Sequence, residues 1–237
     1  MKQLKFLLNS FKRKRFYNAG YENVIIPLKP KVIGEFLGVI AGDGSVYFDK
    51  KYYHYTIRIF LHAKDDYEYA LYLKKLIEQE FNKKVLVLYK GKNDMFLSFK
   101  SKKIYDLISY FLRIGNNKTL NVCLNDELQN YSKEFLRYFV RGIFDTDGSV
   151  QSRRVRVKCI SKNLMLQVSD ILTQNQIANS LRLVKDKRDN CHDCYEITIG
   201  KEQINRFQRI IGLSNPRKLK KLKCGSRDSD PGYVRTA

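Results

Sequence analysis

VIGEFLGVIAGDGS, residues Val32 to Ser45, reads as an apolar helix with two small positions on one face and an acid at its end. Gly38 and Gly42 are four residues apart, so they face the same way. A glycine inside a helix costs about 1 kcal/mol relative to alanine, and two at this spacing predict a face stripped bare so that another helix can approach closely. The chain supplies that helix. FVRGIFDTDGSV, residues Phe139 to Val150, places Gly142 and Asp147 each 104 positions after Gly38 and Asp43 (142 − 38 and 147 − 43). Thr146 stands where Gly42 stood, and both copies close on Asp-Gly-Ser-Val.

Packed along those faces, the helices bring Asp43 and Asp147 together at their carboxyl ends. Two carboxylates side by side repel, and each helix end adds partial negative charge, so the arrangement calls for a cation between them. Hard oxygen donors suit magnesium or a similar divalent ion. The carbonyls of Gly42 and Thr146, at the helix ends, are expected to help hold it. A single copy would be read as a core helix ending in an Asp-Gly turn; two in matched register point to a site.

FLGVIAGDG and VRGIFDTDG resemble the paired signature motifs of the LAGLIDADG homing endonucleases in their two-motif, single-chain form. The similarity spans about Val32 to Lys223, specific at the motifs and looser between them. Asp145 occupies the inner acidic position of the second motif, and Ala41 replaces it in the first. The resemblance implies a functional monomer that hydrolyses both strands of a long DNA target with Mg2+. Mn2+ would substitute, and Ca2+ would support binding without cleavage. It also implies one active site per strand, phosphates facing each other across a compressed minor groove, and short 3′ overhangs. Family sites carry a basic residue near each acid where the second strand of a unit meets the next helix. Lys64, closing RIFLHAK, and Lys162, closing VKCISK, hold those places. An intron RNA maturase and a non-catalytic DNA-binding regulator stay open on the same fold; an intron-encoded, free-standing product is expected, because no protein-splicing junction is visible.

Composition agrees with a polyanionic partner. Lys and Arg number 45 against 24 Asp and Glu, a formal charge of +21, and 43% hydrophobic residues suffice for a core. Charge does not separate DNA from RNA. No apolar run approaches the roughly 20 residues of a membrane span, so no membrane role is expected, and the start lacks a secretion signal. An intracellular protein is expected. Cysteines at 123, 159, 191, 194 and 224 form no framework; the lone Cys191-x-x-Cys194 reads as a hairpin turn ahead of a zinc or redox pair.

The order of elements predicts an α/β fold, an αββαββα unit twice over, with two antiparallel-rich sheets forming a saddle around the central helix pair. Residues 1–31 form a basic lead-in with a positive run at Lys12 to Arg15, and Pro27 and Pro30 break any helix ahead of the motif. The first half, 32–115, holds a strand over Tyr52–His62, a helix over Asp65–Phe81 capped by Asp65 or Asp66, strands over Lys84–Lys90 and Met95–Lys100, and a helix over Lys102–Arg113 stopping at Gly115. A polar connector, 116–131, follows. The second half, 132–223, begins at Ser132 as cap and repeats the order, with strands over Ser149–Ile160, Ser180–Val184 and Tyr195–Ile199 and a last helix over Lys201–Ile211 closing at Gly212. Residues 224–237 read as a loose tail.

Alternation defines the nucleic-acid face. Arg154, Arg156 and Lys158 point one way and Val155, Val157 and Cys159 the other. Thr56, Arg58, Ser98, Lys100, Arg182, Glu196 and Thr198 are expected to join them, as strands able to enter a major groove. His54 and His62 lie on the same polar face, as contacts or packing.

Overall fold

The computed structural model of the chain describes residues 24–27, 29–114, 118–185 and 192–227. The Lys12–Arg15 run, Gly115, Cys191 and the tail beyond residue 227 lie outside the described residues. The first unit runs α1 (Pro30–Ala41), β1 (Gly44–Asp49), β2 (His54–His62), α2 (Tyr67–Glu80), β3 (Leu86–Lys90), β4 (Asp94–Lys100) and α3 (Lys102–Phe111). The short elements β5 (Leu112–Arg113), α4 (Lys118–Asn121) and β6 (Cys123–Leu124) lead to the second unit. That unit runs α5 (Lys133–Asp147), β7 (Gly148–Gln151), β8 (Arg154–Cys159), α6 (Lys162–Gln174), β9 (Ser180–Val184), β10 (Cys194–Gly200) and α7 (Ile204–Ile210), with α8 (Pro216–Arg227) after it. The αββαββα order is therefore present twice.

Each unit folds its strands into one antiparallel sheet, ordered β1-β2-β4-β3 and β7-β8-β10-β9. The registers match: Gly44 faces Ile59 and Ile59 faces Leu97, as Gly148 faces Val157 and Val157 faces Ile197. The inward residues of both sheets join one core with α1 and α5. Residues 32–41 of α1 are all buried, as expected for a helix apolar on every side. Among the described residues no helix is long and apolar enough to cross a membrane.

The glycine face performs its expected role and extends further than the two positions read from the sequence. A Cβ on Gly38 would strike the Phe139 carbonyl oxygen and lie 3.0 Å from the Gly142 Cα; one on Gly142 would lie 2.7 Å from the Val39 nitrogen. Gly34 faces the Phe135 carbonyl in the same way, so 34, 38 and 42 form a single row. Ser132 caps α5 as predicted, its hydroxyl accepting the Phe135 N–H at 3.2 Å. Gly212 ends α7 at φ +63, where glycine avoids the Cβ penalty.

Several boundaries differ from the sequence reading. Pro30 does not precede the first helix but starts it at N1, where its missing N–H costs nothing. Tyr52 and Tyr53 belong to a turn, not to β2, because Asp49 accepts the N–H groups of Lys51 (2.9 Å) and Tyr52 (3.2 Å) and reverses the chain. The helix over 102–113 stops at Phe111; Leu112 is extended and pairs with Leu124. The connector is docked and not merely polar: Leu124 exchanges hydrogen bonds with the Gln167 side chain, and Ser161 donates to the Val122 carbonyl. The supposed start of the tail lies inside α8, which runs to Arg227. Among the described residues Cys123, Cys159 and Cys194 form no disulfide, and Cys194 opens β10.

Candidate functional site

The site forms where α1 and α5 end. Gly42 closes α1, its N–H donating to the Gly38 carbonyl at 3.1 Å, and Asp43 follows in the turn into β1. Asp147 is the last residue of α5. The two helix ends meet: a Cβ on Gly42, the neighbour of Asp43, would touch the Thr146 hydroxyl and lie 3.2 Å from the Asp147 Oδ2. Thr146 turns its hydroxyl back onto the Gly142 and Ile143 carbonyls, both at 3.0 Å.

A lysine the sequence reading passed over completes the cluster. Lys218, on α8 and nearly fully buried, donates its ammonium to the Thr146 carbonyl at 2.6 Å and the Phe144 carbonyl at 3.2 Å. The Thr146 carbonyl, expected as a helper ligand, thus accepts one hydrogen bond from an ammonium group and keeps a second lone pair. Burial lowers the Lys218 pKa, against the opposing charges of Asp145, Asp66, Asp43 and Asp147. Lys64 and Lys162 are exposed, in the turn after β2 and at the start of α6. The signal that marks Lys218 is Asn215-Pro216, a cap and first-turn pair that starts a helix beyond Gly212.

That helix is fastened by the inner acid of the second motif. Asp145 is buried; its carboxylate accepts the N–H groups of Ser214 at 3.0 Å and Asn215 at 2.9 Å. Asn215 passes the link on to Asp66, which also takes Arg217 at 2.9 Å. Asp66 is therefore drawn across to α8 and makes no side-chain cap on α2. Ala41 leaves the first unit without this anchor.

Burial pushes Asp145 up to about 7, against the backbone hydrogen bonds that favour its ionised form. A carboxyl raised in the folded state contributes stability that is fully present below its unfolded value near 4 and is lost as pH rises through about 7. The thermal midpoint is expected to fall between pH 5 and pH 7 and level off above, and Asp145→Asn to flatten that slope; a wild-type midpoint that rises over the same range would contradict the assignment.

The outer sheet faces carry the predicted basic residues. Val155 and Val157 are buried while Arg154 and Lys158 are exposed. Glu196 differs from expectation: it does not project outward for recognition but is completely covered by cations. Its carboxylate accepts from Arg182 at 2.9 and 2.6 Å and pairs with Lys158 at 3.2 Å and Arg156 at 3.6 Å. Burial would raise its pKa, yet hydrogen bonds from Arg182 and Lys158 and their charges hold it below the ordinary range. One carboxylate thereby gathers three cations, leaving a net positive patch. In the first sheet Arg58 lies over the Phe96 ring at 5.4 Å, and Lys100 sits 3.1 Å from His54. Thr56, Ser98 and Thr198 are half-buried on the same faces.

The donor set suits a divalent cation. Among the described residues no three His, Cys, Asp or Glu side chains converge. Two carboxylates, with other oxygen donors completing the shell, fit a hard divalent cation that keeps few protein ligands.

Comparison with known proteins agrees with this architecture. Residues 134–212 match the model of the LAGLIDADG-like domain. Over 211 residues the chain is 23% identical to the glutamine–fructose-6-phosphate aminotransferase of Methanocaldococcus jannaschii, covering 86% of this chain and 18% of that protein. It is 23% identical to an uncharacterized protein of the same organism, covering 88% and 77%. The chain thus spans under a fifth of the aminotransferase. Among solved structures, the homing endonuclease I-DmoI in complex with DNA and Ca shares the fold at a TM-score of 0.61, 22% identity, and 82% and 98% coverage. I-DmoI has also been solved with DNA and Mn, and a variant with its target DNA in the presence of Mg. Full-length WhiA from Thermatoga maritima gives a TM-score of 0.54 at 17% identity, covering 90% of this chain and 65% of that one. Residues 134–212 thus form a LAGLIDADG-like domain, and the chain as a whole, with its paired motifs and its αββαββα unit present twice, shares the fold of I-DmoI.

Proposed function

We propose that this protein is a site-specific, divalent-metal-dependent DNA endonuclease acting as a monomer inside the cell. The observation that carries the reading is the meeting of the α1 and α5 ends that bear Asp43 and Asp147, beside a buried lysine on which both acids act and next to two sheets with cationic outer faces. A protein that only bound DNA would have no use for two carboxylates where phosphates approach, since they repel the backbone. A bound Mg2+ would offset that repulsion, activate water and neutralise charge on the leaving oxygen.

The chain's own residues do the rest. Asp43 and Asp147 would hold the cation and so fix the position of the scissile phosphates between the helices. Lys218 keeps its ammonium beside the acids and supplies a hydrogen-bond donor toward developing negative charge. Arg58, Lys100, Arg154, Arg156, Lys158 and Arg182 bind backbone and base edges along each sheet. The test is incubation of a randomised long-duplex library with Mg2+ and, in parallel, with Ca2+. Cuts at one recurring sequence with short 3′ overhangs, and binding without cutting in Ca2+, are expected; absence of any cleavage, with tight binding to intron RNA, would replace this reading by a splicing role.

Lys218→Met is expected to slow cleavage by about 10²-fold with calcium-supported binding retained. Its lowered pKa adds a second readout. The wild-type rate should fall on the alkaline side before pH reaches the ordinary lysine value, and Lys218→Arg should shift that limb upward. An unchanged pH–rate profile in the arginine variant would remove Lys218 from the reaction.

A further inference from the structure

Matched rows of the two sheets carry opposite chemistry. In the first sheet Phe60 faces Phe96, which faces Leu88. Because Ile59 and Val157 hold equivalent places in the two registers, the corresponding row of the second sheet is Lys158 facing Glu196 facing Arg182. The apolar row is not a core row. Its neighbours Ile59, Leu61 and Leu97 fill the interior, while Phe60 is 42% and Leu88 41% exposed, and the Phe60 and Phe96 rings lie 5.6 Å apart.

Two further observations say what covers this strip. It starts beside the acid: the Phe60 N–H donates to the Asp43 carbonyl at 3.0 Å, so this row is the part of the sheet next to the site of cutting. It is also framed by cations, with Arg58 over the Phe96 ring and Lys100 farther along β4. A bilayer or an apolar protein partner would strand those charges, whereas a duplex offers them phosphates. Within the major groove a duplex presents one apolar group to a protein, the C5 methyl of thymine.

We propose, resting on the reading of this chain as a duplex DNA binder, that Phe60, Phe96 and Leu88 read thymine methyl groups at the base pairs nearest the cut in one half-site. In the other half, Lys158 and Arg182 of the matched row, held on the buried Glu196, read hydrogen-bonding edges. The target is chemically lopsided although the scaffold is pseudo-symmetric.

The experiment uses the full chain with Ca2+. Duplexes are selected from a randomised library, sequenced, and resynthesised with deoxyuridine in place of thymine in one half-site at a time. Thymine enrichment beside the centre of one half is expected, and uracil there should weaken binding about tenfold, at roughly fourfold per buried methyl. Uracil in the other half should change affinity less than about twofold, since its contacts are polar. The Phe60→Ser, Leu88→Ser, Phe96→Ser variant should bind thymine and uracil duplexes equally. Equal affinity of the wild type for thymine and uracil duplexes in both halves would overturn this proposal while leaving DNA binding intact. Failure to select any duplex would overturn the underlying DNA-binding reading, and this proposal with it.

Discussion

Asp43→Asn with Asp147→Asn is expected to abolish double-strand cleavage, by at least ~10³-fold, while calcium-supported binding of the same duplex survives. The magnitude follows from the role proposed. Removing a carboxylate that holds the metal forfeits charge neutralisation on the phosphate and on the leaving oxygen, about 4 kcal/mol or more of barrier. Each single substitution should eliminate double-strand product, because each acid serves one strand, and the double variant should remove nicking as well. Stability provides an independent check. The acids repel each other and the two helix ends, so the double asparagine variant should melt no lower than wild type in metal-free buffer. Full activity in the double variant would place the active site elsewhere, and a large drop in melting temperature would show that the acids serve the fold.

The second large effect is expected at Gly38. Alanine favours a helix interior by about 1 kcal/mol over glycine, so on propensity alone Gly38→Ala should stabilise. The close approach of α1 and α5 predicts the opposite sign, since the first carbon of any side chain meets the Phe139 carbonyl and the Gly142 Cα. These are backbone atoms of a buried helix and cannot rotate away. Gly38→Ala should therefore lower the urea midpoint with unchanged slope, and Gly38→Val should cost on the order of 4 kcal/mol, a large part of a domain's whole stability. Gly91 is the matched control for crowding, because nothing lies within 4 Å of a Cβ there; its cost on substitution should reflect only its φ of +70. An alanine at position 38 that raises stability would mean that the helices sit farther apart.

Much of this was legible because repetition makes weak signals specific. Gly38 and Asp43 alone describe a core helix with a turn; the same residues returning as Gly142 and Asp147 define two helices that must meet. Strand alternation likewise sorted Val155 and Val157 inward and Arg154 and Lys158 outward. What was not legible depends on partners distant in sequence. Asp66 looks like a helix cap until Asn215 and Arg217 arrive from about 150 residues away. Glu196 looks like a base-reading acid until Arg182 and Lys158 close over it from both neighbouring strands.

By itself, then, the sequence determined the duplicated αββαββα plan, the glycine face, the paired acids and the basic outer strands, because each rests on local periodicity or on a motif that occurs twice. Only the tertiary structure decided which lysine joins the acids, that Asp145 fastens α8, and that one sheet's row beside the acid is apolar where its counterpart is charged. Those features are set by register and packing between segments far apart in the chain, where side-chain identity alone carries no distance information.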